Sequence, residues 1–167
     1  MRDFYLESGS KVDPLQFTKE ILERYPDTKI YIGCDSQNKE RVCVYATVIA
    51  YRFTYVGTRR GARYIYYKEV VDKTKDKFTR LWGEVERSLG LAVWLRDQGF
   101  DIYQIDLDFN EKSNTGSHDM VASGTGYVIG QGFNCTVKPQ LQCASRCADH
   151  IVKKRVRRRR QYKKKAA

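Results

Sequence analysis

The sequence lacks long apolar runs, and this absence limits where the protein can function. No stretch approaches the roughly 20 apolar residues that a membrane span requires, and the N-terminal residues Met1-Arg2-Asp3-Phe4-Tyr5 do not form an apolar signal segment. We therefore expect a soluble, non-secreted protein without a membrane partner, located in the cytoplasm or within a virus-like particle. A hydrophobic content of 41% over 167 residues suits one globular domain with a core of its own.

Histidine is scarce and cysteine is odd in number, which argues against a zinc site and against a disulfide framework. The chain has two histidines and five cysteines. Cys143 and Cys147 are one helical turn apart, but two ligands do not make a zinc site, and neither histidine has a finger-like spacing from them. We expect the thiols to be reduced and mostly buried.

Acidic residues are absent from the end of the chain, where most of the net charge of +11 is concentrated. Ten of the 31 basic residues lie in 153–165, which leaves 21 basic residues against 20 acidic ones elsewhere. We predict a domain over 1–152 and a basic tail over 153–167 that binds nucleic-acid phosphates. The predicted contacts are Lys153, Lys154, Arg155, Arg157, Arg158, Arg159, Arg160, Lys163, Lys164 and Lys165. The alternative is a solvated tail that repels itself.

Hydrophobic periodicity predicts alternating strands and helices. The predicted elements, in chain order, are a capped helix at about 14–25, strands at 29–34, 41–53 and 63–69, a helix at about 75–98, a strand at 102–107, a Gly-rich helical stretch, a strand at 133–137 and a final helix from about 142. We expect the first three strands to form an antiparallel meander. The long helix before the fourth strand implies a crossover connection.

Acidic residues close two of the predicted strands. Asp35 follows the apolar run 29–34, and Asp108 follows the run 102–107. Neighbouring strand ends can hold both carboxylates at one spot, where divalent metal ions bind oxygen ligands. Asp106 shares a side of its strand with Asp108, so it is either part of an acidic solvent face or a further metal ligand.

Several short motifs resemble, in number, order and spacing, the ribonuclease H-like family of bacterial YkuK proteins. They are Ile32-Gly33-Cys34-Asp35-Ser36-Gln37, Arg80-Leu81 with Glu84-Val85 and Ser88-Leu89, Leu107-Asp108-Phe109-Asn110, Gly126-Tyr127-Val128 with Gly130 and Gly132, Lys138-Pro139, and Ala144-Ser145 with Ala148-Asp149. The resemblance covers roughly residues 28–153. It implies a ribonuclease H-like α/β fold with a mixed five-stranded sheet, its first three strands antiparallel, flanked by helices and followed here by a basic extension.

The resemblance also implies a catalytic set of four acids that bind Mg²⁺ or Mn²⁺. Asp35 would be a bridging ligand on the central strand and Asp108 a ligand on the adjacent strand. The long helix would contribute Glu84, and the final helix Asp149.

The residues alone leave structural alternatives open for three of these acids. Asp35 could take part in a turn or a cap, and periodicity does not choose between Glu84 and Glu86. Asp149 could pair with Lys153 one helical turn later.

Two features expected of a proofreading exonuclease of this superfold are missing. Asp35-Ser36-Gln37 stands where such enzymes carry Asp-x-Glu, and no His or Tyr stands shortly before Asp149. We therefore favour an endonuclease acting on RNA, an RNA/DNA hybrid or structured DNA. The alternative is a non-catalytic module of the same fold, with a protein partner or as a homo-oligomer, in a large nucleoprotein assembly such as a phage particle.

Overall fold

The predicted alternation of strands and helices appears as one mixed sheet with helices on both faces. The computed structural model describes residues 2–54, 60–73, 76–110, 118–140 and 143–153. The strands in these residues are β1 (Phe4–Tyr5), β2 (Lys11–Val12), β3 (Lys29–Asn38), β4 (Val42–Thr54), β5 (Arg60–Asp72), β6 (Gln104–Asn110) and β7 (Cys135–Lys138). The helices are α1 (Pro14–Arg24), α2 (Lys77–Asp97), α3 (His118–Gly130) and α4 (residues 144–153).

The strand order across the sheet is β2-β1-β5-β4-β3-β6-β7. β3, β4 and β5 form the predicted antiparallel meander, whereas β6 pairs in parallel with β3 after the crossover through α2. The predicted count of five strands was wrong, because the sheet has seven strands within the described residues. β1 and β2 extend the edge beyond β5, and strands of two residues are too short to leave a periodic pattern in the sequence.

The sheet separates two apolar layers because side chains alternate along each strand. On one face, Ile30 and Ile32 of β3 belong to the larger core together with Leu95 of α2. On the other face, Tyr31 belongs to a smaller cluster that includes Ala144 of α4. Helices α1 to α3 therefore cover one face, and α4 covers the centre of the other.

Two contacts hold the beginning of α4 against the sheet. A Cβ atom on Gly33 would lie only 2.7 Å from the amide nitrogen of Ser145, so a residue without a side chain is needed where the helix crosses β3. The carboxylate of Asp106 accepts hydrogen bonds from the amide nitrogens of Cys143 and Ala144, at 2.6 and 2.7 Å. It therefore caps the helix from a neighbouring strand.

An aspartate caps the N-terminus of each of the first two helices. Asp13 accepts a hydrogen bond from the amide of Gln16 at 2.7 Å, and Asp76 accepts one from the amide of Thr79 at the same distance. No helix in the described part of the chain is long and apolar enough to cross a membrane. Cys34 and Cys43 are buried, and the other three cysteines are half-buried, all with free thiols.

The predicted basic tail lies largely outside the described residues. Of its predicted phosphate contacts, Lys153 alone falls within them, at the last described position of α4. The division into a domain and a tail therefore stays a prediction from the charge distribution.

Gly33→Ala should destabilise the protein by about 1–3 kcal/mol, because the added methyl group meets the backbone of α4 and cannot be accommodated by a side-chain movement. Gly90→Ala is the matched control. Nothing lies within 4 Å of a Cβ at Gly90, and alanine is favoured over glycine inside a helix by up to about 1 kcal/mol. The urea concentration at the midpoint of unfolding should therefore decrease for Gly33→Ala and increase for Gly90→Ala. An unchanged stability of Gly33→Ala would contradict the close approach of α4.

Candidate active site

Four acidic side chains line one cleft of about 300 Å³ although they come from four different elements. They are Asp35 of β3, Glu84 of α2, Asp108 of β6 and Asp149 of α4. The parallel pairing of β3 with β6 ends at Gly33 and Asp106. Two residues further along each strand, and hence on the same face of the sheet, stand Asp35 and Asp108. The cleft therefore opens where the two central strands stop pairing.

Asp35 lies inside a strand and not at its end. β3 continues to Asn38, and Asp35 is paired with Ala46 of β4. The predicted end of the first strand at Asp35 was therefore wrong, and so was the alternative of a turn or cap at this residue. The strand outlasts its apolar run because β4 continues to supply backbone partners beside the polar residues.

The carboxyl group of Asp35 keeps its proton to a higher pH than an exposed aspartate does. The pKa of Asp35 is raised to about 6, mainly by burial and also by the neighbouring carboxylates of Asp108 and Asp149. The backbone amide of Ser36 and the guanidinium of Arg80 act in the opposite direction. Asp35 is therefore electrostatically coupled to two other acids of the cleft.

Glu84 is the most deeply buried acid of the cleft, with 2% of its surface exposed. The hydroxyl of Ser36 donates a hydrogen bond to its carboxylate at 2.5 Å, and Arg80 lies 3.5 Å away. Burial nevertheless raises the pKa of Glu84 to about 8, with a further contribution from neighbouring carboxylates. Glu86, which periodicity could not separate from Glu84, is exposed.

Two of the acids form ion pairs with lysines. Asp108 pairs with Lys138, and Asp149 pairs with Lys153 at 2.7 Å, as one interpretation of the sequence predicted. No described Lys, Arg or His forms an ion pair with Asp35. The four carboxylates thus share a cleft, and two of them are neutralised by separate lysines.

The donor set has the chemistry that Mg²⁺ and Mn²⁺ require, but its present arrangement is open. Carboxylate oxygens are the hard ligands these ions prefer. Burial disfavours the ionised forms of Asp35 and Glu84, and a nearby cation would stabilise those forms. Within the described residues, no three His, Cys, Asp or Glu side chains converge closely enough to hold an ion. Binding would therefore require side chains to leave their ion-pair partners.

Comparison with known proteins assigns the chain that carries this cleft to a family. The model of the family described as ribonuclease H-like matches residues 15–153. The chain belongs to the ribonuclease H-like family. The match includes all four acids of the cleft, confirms the family resemblance seen in the sequence and is consistent with the narrower YkuK group. Neither a comparison with curated proteins nor one with solved structures found a match.

Asp106 does not line the cleft of this ribonuclease H-like domain. It is fully buried, and besides capping α4 it accepts hydrogen bonds from the amide of Gln104 at 2.6 Å and the hydroxyl of Thr136 at 3.3 Å. These contacts give Asp106 a positioning role for α4. The sequence pattern could not separate Asp106 from Asp108, because both side chains lie on one face of β6.

Sequence reasoning missed the polar network around Glu84. Arg80 donates to the hydroxyl of Ser36 at 2.6 Å, and the same hydroxyl donates to Glu84. The amide oxygen of Gln37, which also lines the cleft, is buried without a hydrogen-bond partner among the described residues. Ser36 and Arg80 both belong to motifs of the resemblance, so a signal for them was present.

Glu84→Gln should stabilise the metal-free protein at alkaline pH. The folded-state pKa of about 8 exceeds the unfolded value of about 4.3. The folded protein therefore binds more protons between these values, and its stability falls as the pH rises through this window. Glutamine carries no charge to bury, so the variant should exceed the wild type by an amount on the order of a few kcal/mol near pH 9, and by much less near pH 5.

Urea unfolding in EDTA across this pH range measures the difference. Glu86→Gln removes a charge from the exposed side of the same helix and is the matched control. A stability difference between Glu84→Gln and the wild type that does not change with pH would contradict the raised pKa of Glu84.

Proposed function

We propose that the protein is a metal-dependent nuclease that hydrolyses phosphodiester bonds of RNA, an RNA/DNA hybrid or structured DNA. The proposal is carried by one observation, the meeting of four acids from four separate elements in a single cleft. Burial raises the pKa values of two of these carboxyl groups. Placing ionisable groups in such surroundings lowers the stability of the fold at a pH where they ionise. Such a cost is typical of functional sites and is not explained by packing.

A divalent ion bound by these carboxylates would make a water molecule nucleophilic near neutral pH and would neutralise charge on the leaving oxygen. Asp35 and Asp108, on the diverging central strands, are the first candidates to hold it. Glu84 and Asp149 approach the same space from α2 and α4. Because Asp35 and Glu84 must lose their protons to act as ligands, metal affinity should increase as the pH rises toward about 8.

The basic residues around the cleft have two possible partners, the acids or a substrate. Arg80, Lys138 and Lys153 stabilise the carboxylates when no cation is present. Once a cation neutralises those carboxylates, the same three side chains can contact phosphate oxygens of a nucleic acid. Lys153, which lines the cleft, is also the first residue of the predicted tail. The charges of the tail would then act on the same nucleic acid.

A second candidate function is a non-catalytic ribonuclease H-fold module in a nucleoprotein assembly, such as a phage particle, where it would contact a protein partner or further copies of itself. The pairing of Asp108 with Lys138 and of Asp149 with Lys153 favours it. In this case the ion pairs would be structural, with Asp108–Lys138 joining β6 to β7 and Asp149–Lys153 lying within α4, and the tail would still bind nucleic acid.

Asp35→Asn should abolish Mg²⁺- or Mn²⁺-dependent cleavage while leaving the folded stability unchanged or raised. The expected loss is about a hundredfold or more, because removal of even an outer partner of a metal site costs about 10- to 100-fold. Ca²⁺, which accepts looser coordination, should bind without supporting turnover well. The assay is cleavage of labelled RNA, hybrid and branched DNA by the wild type, Asp35→Asn and Glu86→Gln, all purified identically.

Glu86→Gln should retain full activity, because Glu86 is exposed on the helix that carries Glu84. Equal cleavage by the wild type and Asp35→Asn would reveal a contaminating nuclease. That result, or no cleavage across these metals and substrates, would favour the non-catalytic module.

Truncation after Val152 should weaken nucleic-acid binding for all sequences alike. It removes ten basic residues, and a tail that neutralised about six phosphates would lose roughly a thousandfold in affinity between 50 and 200 mM salt. The dependence of the dissociation constant on salt should therefore flatten in the truncated protein. Unchanged affinity and salt dependence would exclude the tail as the phosphate contact.

A further inference from the structure

Three aromatic rings form a strip on the surface of α2 and α3. The rings of Phe78 and Trp82 are parallel to within 3°, with centroids 6.2 Å apart. The ring of Tyr127 follows, with its centroid 5.3 Å from that of Trp82. Phe78 is 50% exposed and Tyr127 is 43% exposed. In this aromatic strip, comprising Phe78, Trp82 and Tyr127, the two outer rings therefore present surface to solvent, and Trp82 between them is half-buried against the core.

The aromatic strip adjoins the acidic cleft. Lys77 and Leu81, which immediately precede Phe78 and Trp82 in α2, both line the cleft. Consecutive residues of a helix are about 100° apart around its axis and 1.5 Å apart along it. The cleft and the strip therefore occupy neighbouring faces of the first turns of α2.

Small residues on α3 leave the ring of Tyr127 uncovered. Ser123 and Gly130, at positions i−4 and i+3 from Tyr127, are its neighbours on the helix surface, and both are exposed. Gly126 is exposed as well, and a Cβ atom added to it would meet nothing within 4 Å. No long side chain from these positions can cover the ring. No residue of the motif Gly126-Tyr127-Val128 with Gly130 lines the cleft. The motif instead contributes Tyr127 to the aromatic strip and keeps its ring exposed.

We propose that the aromatic strip stacks against unpaired bases of a single nucleic-acid strand whose phosphate lies in the acidic cleft. Every base has a π face, and stacking on an aromatic side chain contributes about 1–3 kcal/mol per base whatever the sequence. Bases in a duplex already stack on each other, so the strip selects strands with an unpaired segment. Lys77 and Arg80 at the cleft match the negative backbone of such a strand, a match that an apolar protein partner would not need.

This inference rests on the proposed function for the position of the phosphate, and it narrows the substrate to one that is single-stranded beside the bond to be cleaved. Such substrates include RNA loops and the unpaired arms of hybrids or branched DNA. A uniform duplex would leave the aromatic strip without a partner.

Trp82 allows stacking to be observed directly by fluorescence. The chain has two tryptophans, and Trp94 lines a separate, apolar pocket. Full-length protein with Trp94→Phe therefore has Trp82 as its tryptophan reporter, and Asp35→Asn together with EDTA prevents cleavage during the measurement. A single-stranded oligonucleotide should quench this fluorescence saturably. An abasic oligonucleotide of equal length and charge, and a fully paired duplex, should bind without quenching it.

Tyr127→Leu should weaken single-strand binding by about five- to tenfold and leave the binding of the abasic strand unchanged. Phe78→Leu is a second variant at an exposed ring, in case either substitution disturbs packing. The matched control is Tyr103→Leu. Tyr103 is 39% exposed, but it precedes the first residue of β6, at the end of the strand away from Asp108, and its loss should change neither affinity nor quenching.

Three results would overturn the inference. These are equal affinity for base-containing and abasic strands, quenching by duplex as strong as by single strands, and unchanged binding in both Tyr127→Leu and Phe78→Leu. Sedimentation provides a further check, since an oligomer that Tyr127→Leu dissociates would assign the strip to a contact between copies. The binding assay contains no metal and does not measure cleavage, so its result is independent of the cleavage assay. Quenching in the first assay with no cleavage in the second would indicate a protein that binds single strands without cutting them. Cleavage without quenching would contradict the stacking role of the aromatic strip and leave the proposed nuclease function intact.

Discussion

The geometry of the cleft depends on the anchoring of α4 by one buried carboxylate. Asp106 accepts hydrogen bonds from side chains of β6 and β7 and from two amides at the beginning of α4. Burial raises the pKa of Asp106, while these hydrogen bonds act against that rise. The partial positive charge of a helix N-terminus favours a carboxylate at this position. Gly33 then lets α4 cross β3 closely, which brings Asp149 to the same cleft as Asp35.

The charges of the four acids of the cleft are compensated only in part. Ion pairs neutralise Asp108 and Asp149, and Arg80 lies beside Glu84. Yet the pKa values of Asp35 and Glu84 remain raised to about 6 and about 8, mainly by burial. Glu84 therefore keeps its proton at neutral pH, whereas Asp35 keeps its proton only below about pH 6. A divalent cation would supply positive charge without protonating the ligands, and the basic side chains would become available to phosphates.

Sequence patterns predicted the long elements, and which acids lie near one another, better than they predicted the contacts between elements. The meander of β3 to β5 and the helix α2 carry periodic apolar residues, whereas β1 and β2 are too short to do so. The end of β3 was misplaced, because its backbone pairing outlasts its apolar run. Asp106 and Asp108 look equivalent along the strand. They differ only because α4 begins 38 residues after Asp106 and folds back onto it, a contact that local pattern cannot encode.

The helix α2 carries two proposed recognition surfaces on neighbouring faces. One face directs Arg80 and Glu84 to the cleft, and the next carries two rings of the aromatic strip. The predicted tail begins at Lys153, on the rim of the same cleft. In the proposed nuclease, each part would contact a different portion of a nucleic acid. The acids would hold a metal-bound phosphate, the rings would stack on unpaired bases, and the tail would bind the phosphates beyond. Binding should then depend separately on metal, on bases and on salt, because the three contributions come from different side chains.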